Sequence, residues 1–364
     1  MKFFILSFFI SLVVTLFVVR SARRHAALPP DHQTRPQNYH SSPVPRIGGV
    51  SLLVAALCTF LWAQTALPTE AAMLWALMVA ALPAFLSGVI EDLYKNVSPR
   101  VRLICNAASA GLGIWLLGAV LTRTAIPGID PMIQWYPAAV ALTLFAVTGV
   151  SNAINIIDGF NGLASMCVLF MLLALAYVAF QVGDSFVFTV ALIVSGAVLG
   201  VFVWNYPAGL VFLGDGGAYF LGFVLAELSI LLIGRNASVS PIFPLLLCAY
   251  PIFETLFSIY RRRFVRGVAA IAPDGIHLHT LIHRRIIRAA FRVDFDRRQI
   301  ARNSMTSPYL WALCLLSVIP SVLWWDNTLV LTLFLFLFMV SYVVLYCLIL
   351  KFKTPKWLMI RRGP

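Results

Sequence analysis

Long apolar stretches separated by short polar ones run through the whole chain. A helix that spans a membrane needs about 20 predominantly apolar residues. On that criterion the pattern predicts helices near 2–20, 47–66, 71–90, 102–122, 134–150, 162–180, 185–203, 217–235, 240–258, 307–325 and 328–350. Gly and Pro interrupt several of them, which membrane helices tolerate. The expected fold is all-α: a polytopic membrane protein of about 11 transmembrane helices. It is read as one integral membrane domain over 1–364, with a basic loop at about 259–306. The polar residues gather where the apolar stretches end, at Glu91-Asp92, Asn152 to Asn161, Phe212-Leu-Gly-Asp215 and His277-Leu-His279.

The basic residues give this pattern an orientation. With the amino terminus outside, the inside segments are 20–46, 91–102, 151–161, 204–216, 259–306 and 351–364, and they hold 24 of the 27 Lys and Arg. Only Lys2, Arg123 and Arg235 fall outside. That bias follows the positive-inside rule and predicts a periplasmic amino terminus and a cytoplasmic carboxy terminus. All six histidines lie in inside segments too. One face of the membrane therefore carries the chemistry.

Composition supports a lipid solvent. Hydrophobic residues make up 61% of the 364 and charged residues 11%, against about 25% charged in soluble domains. The net charge of +13 faces the anionic inner leaflet, so it implies no nucleic acid. The six cysteines sit inside apolar stretches without a Cys-x-x-Cys pair. They read as small buried side chains rather than a disulfide or zinc framework. Residues 3–19 have the apolarity of a secretory leader. However, Arg20, Arg23 and Arg24 follow the run and no convincing small-x-small cleavage site does, so a retained first helix is expected.

Four clusters have the residue types for a polar ligand. Asn152, Asn155, Asp158 and Asn161 recur every three residues, which on a helix places them along one slowly drifting face. Amides with one carboxylate suit a nucleotide or a hard cation. Asp215, in a glycine turn before a helix, reads either as an N-cap or as a magnesium ligand that shares the ion with phosphates and water. Glu91-Asp92 ends a helix, where the dipole disfavours an acid. Its uses are cation attraction, general base chemistry, or charge balance with Lys95 and Arg102. His277 and His279 are two apart, a poor spacing for zinc, and read as phosphate or sugar contacts or as structural. Arg261, Arg262, Arg263 and Arg266, with Arg284 and Arg285, suit a diphosphate, since guanidinium binds phosphate oxygens in pairs. A solvated positive loop is the plainer reading. Glu227 and Glu254 fall inside helices, where an acid is a functional candidate by default.

In this order the clusters resemble the polyprenyl-phosphate N-acetylhexosamine-1-phosphate transferases. The matching stretches are Ser42-Pro-Val-Pro-Arg46-Ile-Gly-Gly, Gly88 to Arg102, Asn152 to Ala164, Asn205 to Gly222 and Asp274-Gly-Ile-His-Leu-His279. The resemblance implies transfer of N-acetylhexosamine-1-phosphate from a UDP-sugar to polyprenyl phosphate at the cytoplasmic face of the bacterial inner membrane. UMP is released, and a lipid-linked envelope glycan such as O-antigen of lipopolysaccharide is begun. It implies magnesium, with manganese as the substitute, on Asp215 and Asn155. Catalytic roles are implied for Asp92, Asp158, Asp215 and Glu91. Asn152, Asn161, Asn205, Phe212, Arg100, Arg262, His277 and His279 are implied to bind the substrates, Phe212 against the uracil. The His-x-His pattern is similar to the O-antigen and teichoic-acid initiators more than to the peptidoglycan branch. Glu91 replaces the usual Asp, and Thr280 stands where a further histidine often follows. Self-association as a homodimer is left open. The implied reaction is direct displacement with Asp92 orienting the lipid phosphate, a covalent acyl-phosphate being the runner-up. Two other classes are a secondary transporter, which would place polar residues near mid-membrane, and a non-catalytic assembly protein.

Overall fold

The computed structural model describes residues 1–24, 44–265, 267, 276–287 and 297–351. Every regular element among them is helical. In order these are α1 (Lys2–Arg24), α2 (Gly48–Ala66), α3 (Ala71–Tyr94), α4 (Pro99–Leu117), the short α5 (Ile129–Ile133), α6 (Tyr136–Ile157) and α7 (Leu163–Val182). Then follow α8 (Ser185–Asn205), α9 (Gly214–Arg235), α10 (Ile242–Leu247), α11 (Ala249–Tyr260), the short α12 (Leu278–Ile282), α13 (Arg297–Leu323) and α14 (Thr328–Leu350). Nine helices among the described residues are long and apolar enough to cross a membrane.

The two expected spans outside that set are instructive. The 240–258 stretch is broken at Cys248 into α10 and α11. Pro251 causes this: it has no N–H for the Leu247 carbonyl, and its ring crowds that oxygen. The 102–122 stretch starts earlier, at Pro99 behind the Ser98 N-cap, and stops at Gly118 in the left-handed region. Its first turn therefore contains Arg100 and Arg102, too polar for the hydrocarbon core. The 102–122 stretch still reaches both ends of α9. Arg102 meets Asp215 at one end of α9, while Arg123, just past α4, donates to the Ile233, Asn236 and Val239 carbonyls at the other. The expected basic loop is largely helical where it is described, with π-helical turns at Arg261–Val265 and His283–Ile287 and an extended His277. The helix predicted at 307–325 begins ten residues sooner, at Arg297.

Helix α9 is the axis. Its spanning window is wholly buried, and α2, α3, α4 and α6 pack around it. Lipid-facing side chains such as Phe17, Phe145 and Leu329 stay exposed on the outer helices, as a hydrocarbon solvent requires. Helix α1 lies along α8, where Ser11 donates to the Ala197 carbonyl at 2.6 Å. Helices approach closely in membranes where residues are small. At the start of α9 this is extreme: a Cβ on Gly88 of α3 would lie 2.3 Å from the Gly216 nitrogen. No such contact is tolerated, so the two backbones touch only because both residues are glycine.

A Gly88→Ala substitution should therefore lower the unfolding temperature in detergent, by overpacking of about 1–3 kcal/mol. Gly149→Ala, whose Cβ would meet open space, should leave it unchanged. Equal behaviour of the two variants would show that the α3–α9 approach is not tight.

Candidate active site

The site forms around the first turn of α9. That turn has no side-chain cap of its own, because Leu213 occupies the N-cap position. Two carboxylates from elsewhere take that role. Asp92, on the last turn of α3, accepts from the Gly216 N–H at 3.0 Å and from the Asp215 N–H. Asp158, just past α6, accepts from the Gly214 N–H. Capping of this kind is worth about 0.5–2 kcal/mol. An acid at a helix carboxy terminus costs about 0.3–1 kcal/mol. The Asp92 position that is unfavourable for α3 alone is thus favourable for α3 and α9 together. Gly214, with φ at +77°, has no room for a side chain, since a Cβ would lie 2.5 Å from Asp92 Oδ2.

Asp215 faces away from this cap. Its Oδ2 is paired with Arg102 of α4, and its Oδ1 accepts from the Asn155 amide at 3.0 Å. A fifth segment arrives from the amino-terminal side of α2. Phe212 N–H donates to the Pro45 carbonyl, and Gly48 and Gly49 N–H donate to the Phe212 and Leu213 carbonyls, each at 2.9 Å. This stitching sets the Arg46 guanidinium 6.0 Å from the Phe212 ring centre and within electrostatic range of Asp158. Three acids and two arginines from widely separated positions share one end of the bundle.

The histidines approach from a further direction. His277 is extended (φ −60°, ψ 154°) and precedes α12. Its ring lies parallel to that of His279, with centroids 5.0 Å apart and 7° between planes. His279 sits beside Gly159 and edge-on to Phe160 at 5.6 Å, and His283 packs on the same Phe160 at 5.2 Å. All three histidines are buried. They adjoin the turn that carries Asp158.

Other candidate residues are placed differently. The 152–161 series does not lie on one helix face, because α6 ends at Ile157 and Gly159 and Gly162 turn the chain. Asn152 donates to Thr148 O within α6 at 2.8 Å. Asn161 is fully buried and ties the turn to α13: its N–H donates to Asn303 Oδ1 at 2.7 Å and its amide to Ser304 Oγ at 3.1 Å. Asn205 accepts from the Gly162 N–H at 2.5 Å and donates to Val211 O at 2.6 Å, closing the 205–211 turn. Glu91 accepts from the Val97 N–H at 3.0 Å. Arg100 is exposed in the first turn of α4. Arg262 donates to Ser258 O on its own helical turn at 3.3 Å. Its neighbour Arg261 holds the Ile276 carbonyl at 2.6 Å. Glu227 is remote, buried against Gly113 of α4 far down α9. Ser42, Arg266 and Asp274 lie outside the described residues.

The sequence points to the arginines near the histidines for the diphosphate; among the described residues, Arg46 and Arg102 also reach the acids of the α9 turn. The signal for Arg102 was its place two residues after Arg100 in a helix start, where register decides which one turns inward.

Asp92 also bears on metal binding. Its Oδ1 is buried and has no hydrogen-bond partner, a carboxylate oxygen suited to a cation. No group of three Asp, Glu, His or Cys side chains among the described residues forms a ready metal cage. Magnesium does not ask for one, because it commonly keeps water and substrate phosphates as ligands beside one or two carboxylates. The residues present fit such an ion.

Residues 74–233, from α3 to α9, match glycosyl transferase family 4. The family 4 segment includes Asp92, Arg102, Asn155, Asp158 and Asp215, and leaves Arg46 and the histidines outside it. The chain is similar to a probable undecaprenyl-phosphate N-acetylglucosaminyl 1-phosphate transferase of Bacillus subtilis strain 168, 28% identical over 80% of this chain and 81% of that protein. It is 27% identical to an undecaprenyl-phosphate alpha-N-acetylglucosaminyl 1-phosphate transferase of Thermotoga maritima, over 78% and 80%. A phospho-N-acetylmuramoyl-pentapeptide-transferase of Streptococcus mutans is 32% identical over 55% and 62%.

Burial raises the Asp158 carboxyl to about 7, the Asp215 charge adds to this, and Arg46 and the Gly214 N–H oppose it. A carboxyl raised on folding destabilises once ionised, so its cost is absent below its unfolded value and complete above its folded one. The unfolding temperature of Asp158→Asn should therefore rise relative to wild type between about pH 4 and 7 in metal-free buffer. A gap independent of pH would contradict that placement of Asp158.

Proposed function

We propose that this protein transfers N-acetylhexosamine-1-phosphate from a UDP-N-acetylhexosamine to polyprenyl phosphate and releases UMP. UDP-N-acetylglucosamine is the donor to test first, given the two relatives that align over most of the chain. A 6-deoxy relative is the second choice. The observation that carries the reading is the meeting of Asp92, Asp158 and Asp215 with Arg46 and Arg102 at one end of an apolar bundle. A transporter would concentrate such groups midway along its helices.

The chemistry is a displacement at phosphorus. An oxygen of the lipid phosphate forms a bond to the β-phosphorus, and the bond to the oxygen bridging the two phosphates breaks. UMP leaves with that electron pair. A phosphate monoester with a second pKa of about 6 is largely ionised at neutral pH, so no strong base is needed. Such a reaction asks the protein for positioning and charge stabilisation. Arg102 and Arg46 supply positive charge that the acids hold in place. Asp92, anchored on α9, orients the lipid phosphate. Phe212 offers its face to the base. Magnesium, when bound by Asp215, Asn155 and Asp92 Oδ1, would neutralise the diphosphate.

A cytoplasmic site at the inner membrane is part of this reading, and the basic residues Arg20, Lys95 and Arg100 at the same end of the bundle support it through the positive-inside rule. The water-soluble donor and the interfacial lipid phosphate meet there. Beginning an envelope glycan such as O-antigen is the role that fits the product.

Purified protein in detergent should release UMP from UDP-N-acetylglucosamine with polyprenyl phosphate and magnesium. Chelation should abolish release, and Asp215→Asn should lower kcat by about 100-fold or more, as expected when one electrostatic stabiliser is lost. No UMP from any UDP-N-acetylhexosamine would sink the enzyme reading. Full magnesium-dependent activity in Asp215→Asn would sink the metal assignment.

A further inference from the structure

Glu254 lies on α11, outside the family 4 segment, and has no part in the steps above. It is 1% exposed. Its carboxyl gathers donors from two other segments. Oε1 meets His277 Nδ1 at 3.1 Å and accepts from the Leu278 N–H at 2.9 Å. Oε2 accepts from the Tyr342 hydroxyl of α14 at 2.8 Å. A carboxyl acceptor on Nδ1 requires a proton on that nitrogen, so the ring can offer only Nε2 to a further ligand. The tautomer and the ring direction are both set by Glu254.

The influence continues through the stacked rings. His277 lies flat on His279, which rests against the Gly159-Phe160 turn next to Asp158. The same strand of chain is gripped at its other end, where Arg261 donates to Ile276 O and Tyr346 OH donates to that oxygen at 3.2 Å. Helices α11 and α14 thus fix residues 276–279 as one unit.

We propose that Glu254, backed by Tyr342, is a positioning residue of the transferase site: it holds the His277 imidazole in its Nδ1–H form and, through the stacked pair, sets His279 against the Asp158 turn where the donor diphosphate must lie. The inference rests on the transferase reading. Glu254 acts through His277 and touches no substrate. Outer partners of a functional histidine typically matter by about 10–100-fold.

The test is a double-mutant cycle on UMP release from UDP-N-acetylglucosamine. Glu254→Gln, which keeps the shape, should lower kcat about tenfold or more, with the KM for polyprenyl phosphate and the unfolding temperature unchanged. In a His277→Gln background the same substitution should cost nothing further, because residues acting as a chain are non-additive. Additive losses, wild-type kcat in Glu254→Gln, or a loss matched by a fall in unfolding temperature would each overturn the proposal. If Glu254→Gln does not fold, Tyr342→Phe takes its place in the cycle, with a smaller loss that again vanishes beside His277→Gln. A wild-type protein that releases no UMP would overturn the transferase reading and this inference with it, while additivity in an active protein overturns this inference alone.

Discussion

The amino end of α9 is the point on which the structure depends. Its first backbone N–H groups are buried within a membrane protein, where no bulk water satisfies them. Asp92 and Asp158 satisfy them from two other helices. That demand draws α3 and α6 to one place. The glycines at 48, 49, 88, 216 and 217 allow the approach, and the backbone bonds from Phe212 and Leu213 bring α2 there as well. Capping a helix and assembling a site are here the same event.

This explains how acids are kept together at one end of an apolar bundle. Three carboxylates in one place repel one another, and each would be costly alone. Helix amides neutralise part of the charge of two of them, and Arg102 with Asn155 holds the third. What remains outward is a set of fixed charges that need not reorganise when a charged phosphate reacts, the condition under which electrostatic stabilisation is most effective. The family 4 segment supplies this core. The histidines are brought to it by α11, α13 and α14, through Glu254, Thr306 and Tyr342.

The apolar period made the all-helical membrane fold legible, including the positions of most helices, because helix length in lipid is tightly constrained. Pro251 shows what was missed: the break at Cys248 needs attention to one lost N–H, which an average over apolar residues does not register. In the site, Asp92, Asn155, Asp158 and Asp215 stood out because acids and amides at helix ends are rare in so apolar a chain. Arg102 did not stand out beside Arg100, since helix register chose between them. Asn161 and Asn205 looked like ligands by type, and only the fold shows the Asn161 amide tying its turn to α13 and the Asn205 amide closing the 205–211 turn. Glu254 was visible as a buried acid, but its partners lie 23 and 88 residues away.

The central claim is that this site transfers a phosphoryl-linked sugar rather than the sugar alone. Labelling the β-phosphorus of UDP-N-acetylglucosamine and following the label tests it directly. The label should pass to the lipid fraction in step with UMP release. Label that remains in the aqueous phase as UDP while the sugar moves to lipid would contradict the account.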